Sequence, residues 1–181
     1  MRREILLSVT FLGCSLFLNA QNDSTIYLNK IEESKFYKLQ SKGWVILDSG
    51  NGENQLANFS NKEYYLYFSL DCKTPSYLIE YNDNYRDGDF GGVDFASSRE
   101  KNFQKTSFLI DGKDFKNPFD TDQKNSVADF KSALMKGKKL SIQFFNEEFN
   151  PEKGEDELKL NREISFILQN NDLLKTSVTC K

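Results

Sequence analysis

Histidine is absent from all 181 residues. Its absence removes the Ser-His-Asp triad, the Cys-His pair, histidine-ligated zinc and the commonest general base at neutral pH. Cysteine is nearly absent, and the three residues at 14, 72 and 180 are too few for a four-thiolate zinc site. Positive charge is not in excess either: 24 Lys and Arg are scattered among 27 Asp and Glu along the whole chain. A nucleic-acid binder needs a basic stripe to neutralise phosphates, so no nucleic-acid partner is expected. The one locally basic run, "KGKK" at 136–139, falls at the predicted end of a helix, where cations answer exposed carbonyls.

Long apolar runs are missing, with one exception at the start. "MRREILLSVTFLGCSLFLNA" has a basic opening, an apolar stretch from Ile5 to Leu18 and a small residue before polar "QNDS", the pattern of a secretory signal cut after Ala20. The run falls short of the roughly 20 apolar residues that cross a bilayer, so no transmembrane segment is expected in the mature chain. A lipoprotein attached through Cys14 is the lesser alternative, because apolar "SLFL" rather than a polar linker follows that cysteine. Loss of Arg2, Arg3 and Glu4 leaves 22 basic and 26 acidic residues in a periplasmic or secreted chain of one domain, 43–181, with a lead-in at 21–42.

Export gives the two remaining cysteines a meaning. Cys72 and Cys180 are expected to pair, since disulfides persist outside the reducing cytoplasm. The closed loop of 109 residues, both ends counted, gives roughly 4.7 kcal/mol of chain-entropy stabilisation as an upper figure.

What is present is a strand pattern rich in aromatics, with 16 Phe and 8 Tyr. "GWVILDS" reads as a short strand closed by "SGNGEN". In "EYYLYFSLDCK", Tyr64, Leu66, Phe68, Leu70 and Cys72 alternate with Tyr65, Tyr67, Ser69 and Asp71, and the first set is assigned to the core. "TPS" turns the chain into a return strand, "SYLIEYN". Further strands are expected at "FGGVDFAS", "KTSFLID", "KLSIQFFN" and "REISFIL". One helix is clear: Ser126 at the cap, Asp129 at the third position, Val127, Phe130 and Leu134 on one face, Gly137 as the stop. "NEEFNPEKGEDELK", charged and containing Pro and Gly, is expected to be a mobile loop, and "NDLLKTSVTCK" a last helical turn that brings Cys180 to Cys72. The class is α+β and mainly β, an antiparallel sheet or sandwich of about seven strands with one packed helix.

The chemistry left to such a chain is carboxylate pairs, Ser with Lys, Tyr, or a metal held by oxygen. In "NDNYRDGDFGGVDF", counting an EF-hand loop from Asp83 puts Asp87 fifth and Gly88 sixth, but Tyr85 third and Asp94 twelfth. The motif fails, and turn chemistry explains the glycines. An irregular calcium site of Asp83, Asp87 and Asp89 is the remaining metal reading; no cofactor is expected. A carboxylate-dependent hydrolase of an envelope polymer would need two of Asp83, Asp87, Asp89, Glu147 and Glu148 to face each other across a cleft. Ser132 and Lys136 are four apart on the helix but on an exposed face. Tyr65 and Tyr67, with Tyr85 and Phe90 near the acidic turn, offer a binding surface of exposed aromatics, or else a second buried layer.

The order of a signal peptide, a strand ending "LDC", the return strand "YLIEYN", the late helix in "DFKSALMKGKKLSIQF", then "ISFIL" and a terminal cysteine resembles a family of periplasmic proteins associated with bacterial type VI secretion. The likeness covers residues 64–180, with Asn170 where a glycine would stand between the last strand and the last helix. It implies an accessory or interaction role and carries over Cys72 and Cys180 alone. The expected function is therefore a non-enzymatic binding or accessory domain of the cell envelope with a protein or envelope component as partner, the hydrolase and the calcium module being the alternatives.

Overall fold

The computed structural model describes residues 25–27, 30, 38–82, 95–98, 105–120 and 126–180. A first sheet runs in chain order through β1 (Thr25–Tyr27), β2 (Trp44–Asp48), β3 (Asn54–Asn58), β4 (Tyr64–Ser69), β5 (Ser76–Tyr81) and β6 (Phe95–Ser97). β1 is parallel to β2, and every other pairing is antiparallel. A second sheet is ordered β10-β9-β7-β8, from β7 (Lys105–Ile110), β8 (Lys113–Asp114), β9 (Lys139–Asn150) and β10 (Glu155–Ile167). The helix α1 (Ser126–Leu134) lies between β8 and β9 in sequence, and a short 3₁₀ helix, Asn171–Lys175, follows β10. The described chain is thus mainly β with one α-helix, as its patterning predicts.

β4 shows how periodicity becomes burial. Tyr64, Leu66, Phe68, Leu70 and Cys72 are all buried, whereas Tyr65, Tyr67 and Ser69 are half-buried and Asp71 is exposed. β2 is buried on both faces. Trp44 and Ile46 enter the core between the sheets, while Val45 and Leu47 join Leu39, Ala57 and Phe59 in a second cluster on the sheet's other side, with Ile26 of β1 against it. Part of the lead-in therefore packs on the sheet.

The sheets meet through aromatic rings. Phe130 of α1 lies 5.9 Å from Phe68 of the first sheet, 5.6 Å from Phe108 of the second and 6.0 Å from Phe119 of the connecting loop. Tyr77 completes the cluster at 5.0 Å from both Phe108 and Phe119. Offset and edge-on contacts of this kind add to the area buried. Ser126 is the first residue of α1, and its hydroxyl donates to the Pro118 carbonyl at 3.0 Å, tying the helix start to that loop.

Three strands were not anticipated. β3 follows the "SGNGEN" turn and pairs with β2 on one side and β4 on the other. β8 returns from β7 through Asp111-Gly112, both at positive φ (49° and 84°) as a two-residue hairpin turn requires. β1 is a three-residue edge. A larger correction concerns 146–159, expected as a mobile loop. β9 and β10 instead continue through it as an antiparallel pair down to Asn150 and Glu155. Pro151 and Gly154, read as breakers of a long loop, make only the four-residue turn at the tip, where Gly154 takes φ +70° and donates its N–H to the Asn150 carbonyl at 2.8 Å.

Cys72 and Cys180 form the disulfide, with Cα atoms 5.5 Å apart and a sequence separation of 108. The 3₁₀ helix delivers the second cysteine by burying Leu174 in the main core. Thr179 then locks onto β3: its N–H donates to the Asn54 carbonyl at 2.8 Å, and its hydroxyl accepts from the Asn54 N–H at 2.9 Å. Reduction is expected to lower stability by about 2–4 kcal/mol rather than the full chain-entropy figure, since Leu174 still packs. Urea denaturation with and without dithiothreitol measures it, and unchanged midpoints would contradict the assignment.

Gly43 turns the chain into β2 at φ +69°, and a Cβ there would lie 2.7 Å from the backbone nitrogen of Gln169. Gly52 has φ +88° and open space around it. Gly43→Ala should therefore cost more than about 1 kcal/mol, and visibly more than Gly52→Ala, which meets backbone strain alone. Thermal melting of the two variants side by side gives the order.

Candidate binding surface

The ribbon formed by the outer halves of β9 and β10 extends beyond β7, whose pairing with β9 ends at Lys105 opposite Phe145. Its two faces differ because side chains alternate along each strand and directly opposed residues share a face. On one face the register sets Phe145 opposite Leu160, Glu147 opposite Leu158 and Phe149 opposite Asp156. Leu160 reaches this face through the shift between Leu160 and Arg162, which re-aims the tip half of β10. Phe149 is 64% exposed, Leu158 49% and Leu160 52%, with Phe145 half-buried at their base. Together they make a zigzag apolar stripe.

The other face is polar, with Asn146 opposite Lys159, Glu148 opposite Glu157 and Asn150 opposite Glu155. Like charges set directly across a ladder repel. Here lysines answer them: Lys159 Nζ reaches Glu148 at 2.7 Å, and Lys153 pairs with Glu157, which also accepts from the Asn150 amide at 2.8 Å. Lys153 and then Asn150 hold the Glu157 carboxyl below its usual range, and the hydrogen bond from Lys159 to Glu148 raises the Lys159 ammonium.

β10 is also an edge strand. At its base the edge is closed by the turn between β3 and β4. Asn61 Nδ2 donates to the Ser165 carbonyl at 3.1 Å, Asn58 Nδ2 donates to the Ile167 carbonyl at 2.9 Å, and the Ser60 hydroxyl accepts from the Ile167 N–H at 2.7 Å. Toward the tip no strand of the described residues pairs with it. A long open edge is a template for another chain.

The residues singled out in the sequence are placed differently. Tyr65 and Tyr67 lie on the outer side of the first sheet, half-buried, with their rings 4.8 and 6.1 Å from Phe59 and edge-on to it. They belong to the second apolar layer. Tyr85, Phe90, Asp83, Asp87 and Asp89 lie outside the described residues. Glu147 and Glu148 point to opposite faces of the ribbon and are paired with Lys105 and Lys159, each at 2.7 Å; they do not form a catalytic pair. Ser132 donates to the Ala128 carbonyl at 2.9 Å rather than meeting Lys136. In "KGKK", Lys139 lies 3.7 Å from Glu163, and the backbone N–H groups of Lys138 and Lys139 bind the Asp111 carboxylate.

A groove of about 470 Å³ opens between β8 and α1, bordered by Lys113, Phe115, Ser126, Asp129 and Ala133. Lys113 sits 4.9 Å over the Phe115 ring, and Asp129 is the one carboxylate on the border among the described residues. Among the described residues no three Asp, Glu or Cys converge to hold a metal.

The ribbon stripe was missed because "NEEFNPEKGEDELK" has the composition of a loop. Its signal was alternation: Phe145, Glu147 and Phe149 before the turn, Leu158 and Leu160 after it. No protein-family model, no curated protein and no solved structure matches the chain, so the ribbon has to be read from its own chemistry.

The direction of both shifts sets the pH range of the tip. The contribution of Glu157 is complete above its unfolded pKa and disappears as pH falls through its lower folded one. That of Lys159 is complete below its unfolded pKa and disappears as pH rises through its higher folded one. Cross-strand NOEs between Asn146 and Lys159 should hold at neutral pH and weaken on acidification into the carboxylate range, and Lys159→Ala should weaken them at neutral pH.

Proposed function

We propose that the chain is an exported, non-enzymatic binding domain of the cell envelope and that the β9–β10 ribbon is its contact element. The observation that carries this reading is the exposure of Phe149, Leu158 and Leu160 on one face of a paired ribbon, where the other large apolar side chains among the described residues are mostly buried. Full burial of such side chains is worth roughly 1.5–3 kcal/mol each, so an ordered stripe left in water is a reservoir for association. Export is supported by the apolar stretch from Ile5 to Leu18 and by the disulfide, which fits an oxidising compartment. Among the described residues no helix is long and apolar enough to cross a membrane. The resemblance to periplasmic proteins associated with type VI secretion points the same way, to an accessory role.

Photo-crosslinking in the producing cells tests the reading. A benzophenone side chain at position 149, 158 or 160 should give a discrete cross-linked species, and the same group at exposed Lys175 should not. Silence at all three ribbon positions, with the protein folded, would overturn the assignment.

A further inference from the structure

The ribbon also specifies what kind of partner fits it. Between Glu147 and Lys159 there are six carboxylates, Glu147, Glu148, Glu152, Glu155, Asp156 and Glu157, against two ammonium groups, Lys153 and Lys159, and Lys105 of β7 answers Glu147 from outside the ribbon. Glu147 and Asp156 stand within the apolar stripe itself, each opposite an apolar residue or beside one. Next to this stripe runs the edge of β10, open toward the tip and closed at its base by Asn58, Ser60 and Asn61. The site therefore combines main-chain groups that no strand among the described residues pairs, alternating apolar contacts and a negative field.

We infer that the β10 edge takes up an extended segment of another protein whose side chains alternate basic and apolar, added to the sheet as a further strand. Main-chain hydrogen bonds supply affinity in such strand addition, and alternate side chains supply specificity. The apolar residues of the incoming strand meet Leu158 and Leu160, and its basic residues meet the acidic tip. Charge selects among the possible occupants. A second copy would set the same net negative charge, six carboxylates against three paired lysines, against itself, and an anionic lipid surface would be repelled by the same field, whereas a cationic strand is attracted. The closed base fixes where the added strand stops, because the outward polar groups of Ser165 and Ile167 are already occupied.

The inference rests on the ribbon being a contact element and is tested separately from it. The probe is a fluorescent, acetylated octapeptide alternating lysine with valine and leucine, titrated into the chain expressed at full length with its disulfide closed. Binding is expected to weaken at least about tenfold when glutamate replaces each lysine in the peptide. It should weaken by a similar factor when four consecutive central peptide amides are N-methylated, which blocks both edges of the strand and removes two or more main-chain bonds without touching the protein. Leu158→Ser with Leu160→Ser should weaken it comparably, while Lys175→Ala leaves it unchanged. Equal affinity for the lysine and glutamate peptides, or for the methylated and unmethylated ones, would overturn the proposal even if the double variant failed to fold. A concentration-dependent dimer in sedimentation that Leu158→Ser abolishes, or tighter binding to phosphatidylglycerol vesicles than to the peptide, would also overturn it. Cross-linking at position 149 together with failure of the peptide sinks only the partner class.

Discussion

The structure depends on one meeting of rings. Phe130 of α1 touches Phe68 from one sheet, Phe108 from the other and Phe119 from the loop between β8 and α1, and Tyr77 closes the group from β5. Neither sheet is self-sufficient, because each has one face of large apolar side chains that must be covered. The cluster joins those two faces and seats α1 against both. Its members come from positions 68, 77, 108, 119 and 130, so it forms only when the middle of the chain has collapsed on itself.

From that joint the rest follows outward. Leu140, Ile142 and Phe144 of β9 and Ile164 and Phe166 of β10 are buried against the same core, which anchors the base of the long hairpin rigidly. Beyond Phe145 the core ends but the ladder does not, so the two strands continue into solvent with hydrogen bonds between them and charges on one face. The turn between β3 and β4 stitches the base of β10 to the first sheet through Asn58, Ser60 and Asn61. A platform with a fixed base and a tip beyond the other described strands is the result. At the other end of the chain the disulfide and the Asn54–Thr179 pair hold the terminus against the first sheet.

Much of this was legible in the sequence. Seven strands correspond to β2, β4, β5, β6, β7, β9 and β10, and the alternation from Tyr64 to Cys72 assigned its core face residue by residue because period 2 is a local property of the backbone. The helix over "SVADFKSAL" and the pairing of Cys72 with Cys180 were legible for similar reasons, one from spacing and one from compartment and count. β3 was hidden in "NQLAN", which has little strand propensity of its own and is a strand because β2 and β4 flank it. The Asp111-Gly112 turn was a signal present but unread.

Local order, then, is what the amino-acid sequence determined unaided: which residues alternate, where the helix begins and stops, which chemistry a chain without histidine lacks, and which cysteines were left to join. Tertiary structure decided which outward faces stayed outward. Tyr65 and Tyr67, which alternation turned away from one core, became part of another because Phe59 packs edge-on against both. Phe149, Leu158 and Leu160, embedded in a run with the composition of a loop, became an exposed stripe because β9 and β10 pair beyond the reach of any third strand among the described residues. The physical reason is common to both. Whether a side chain is covered depends on what packs over it, and that neighbour is supplied by segments far away in sequence.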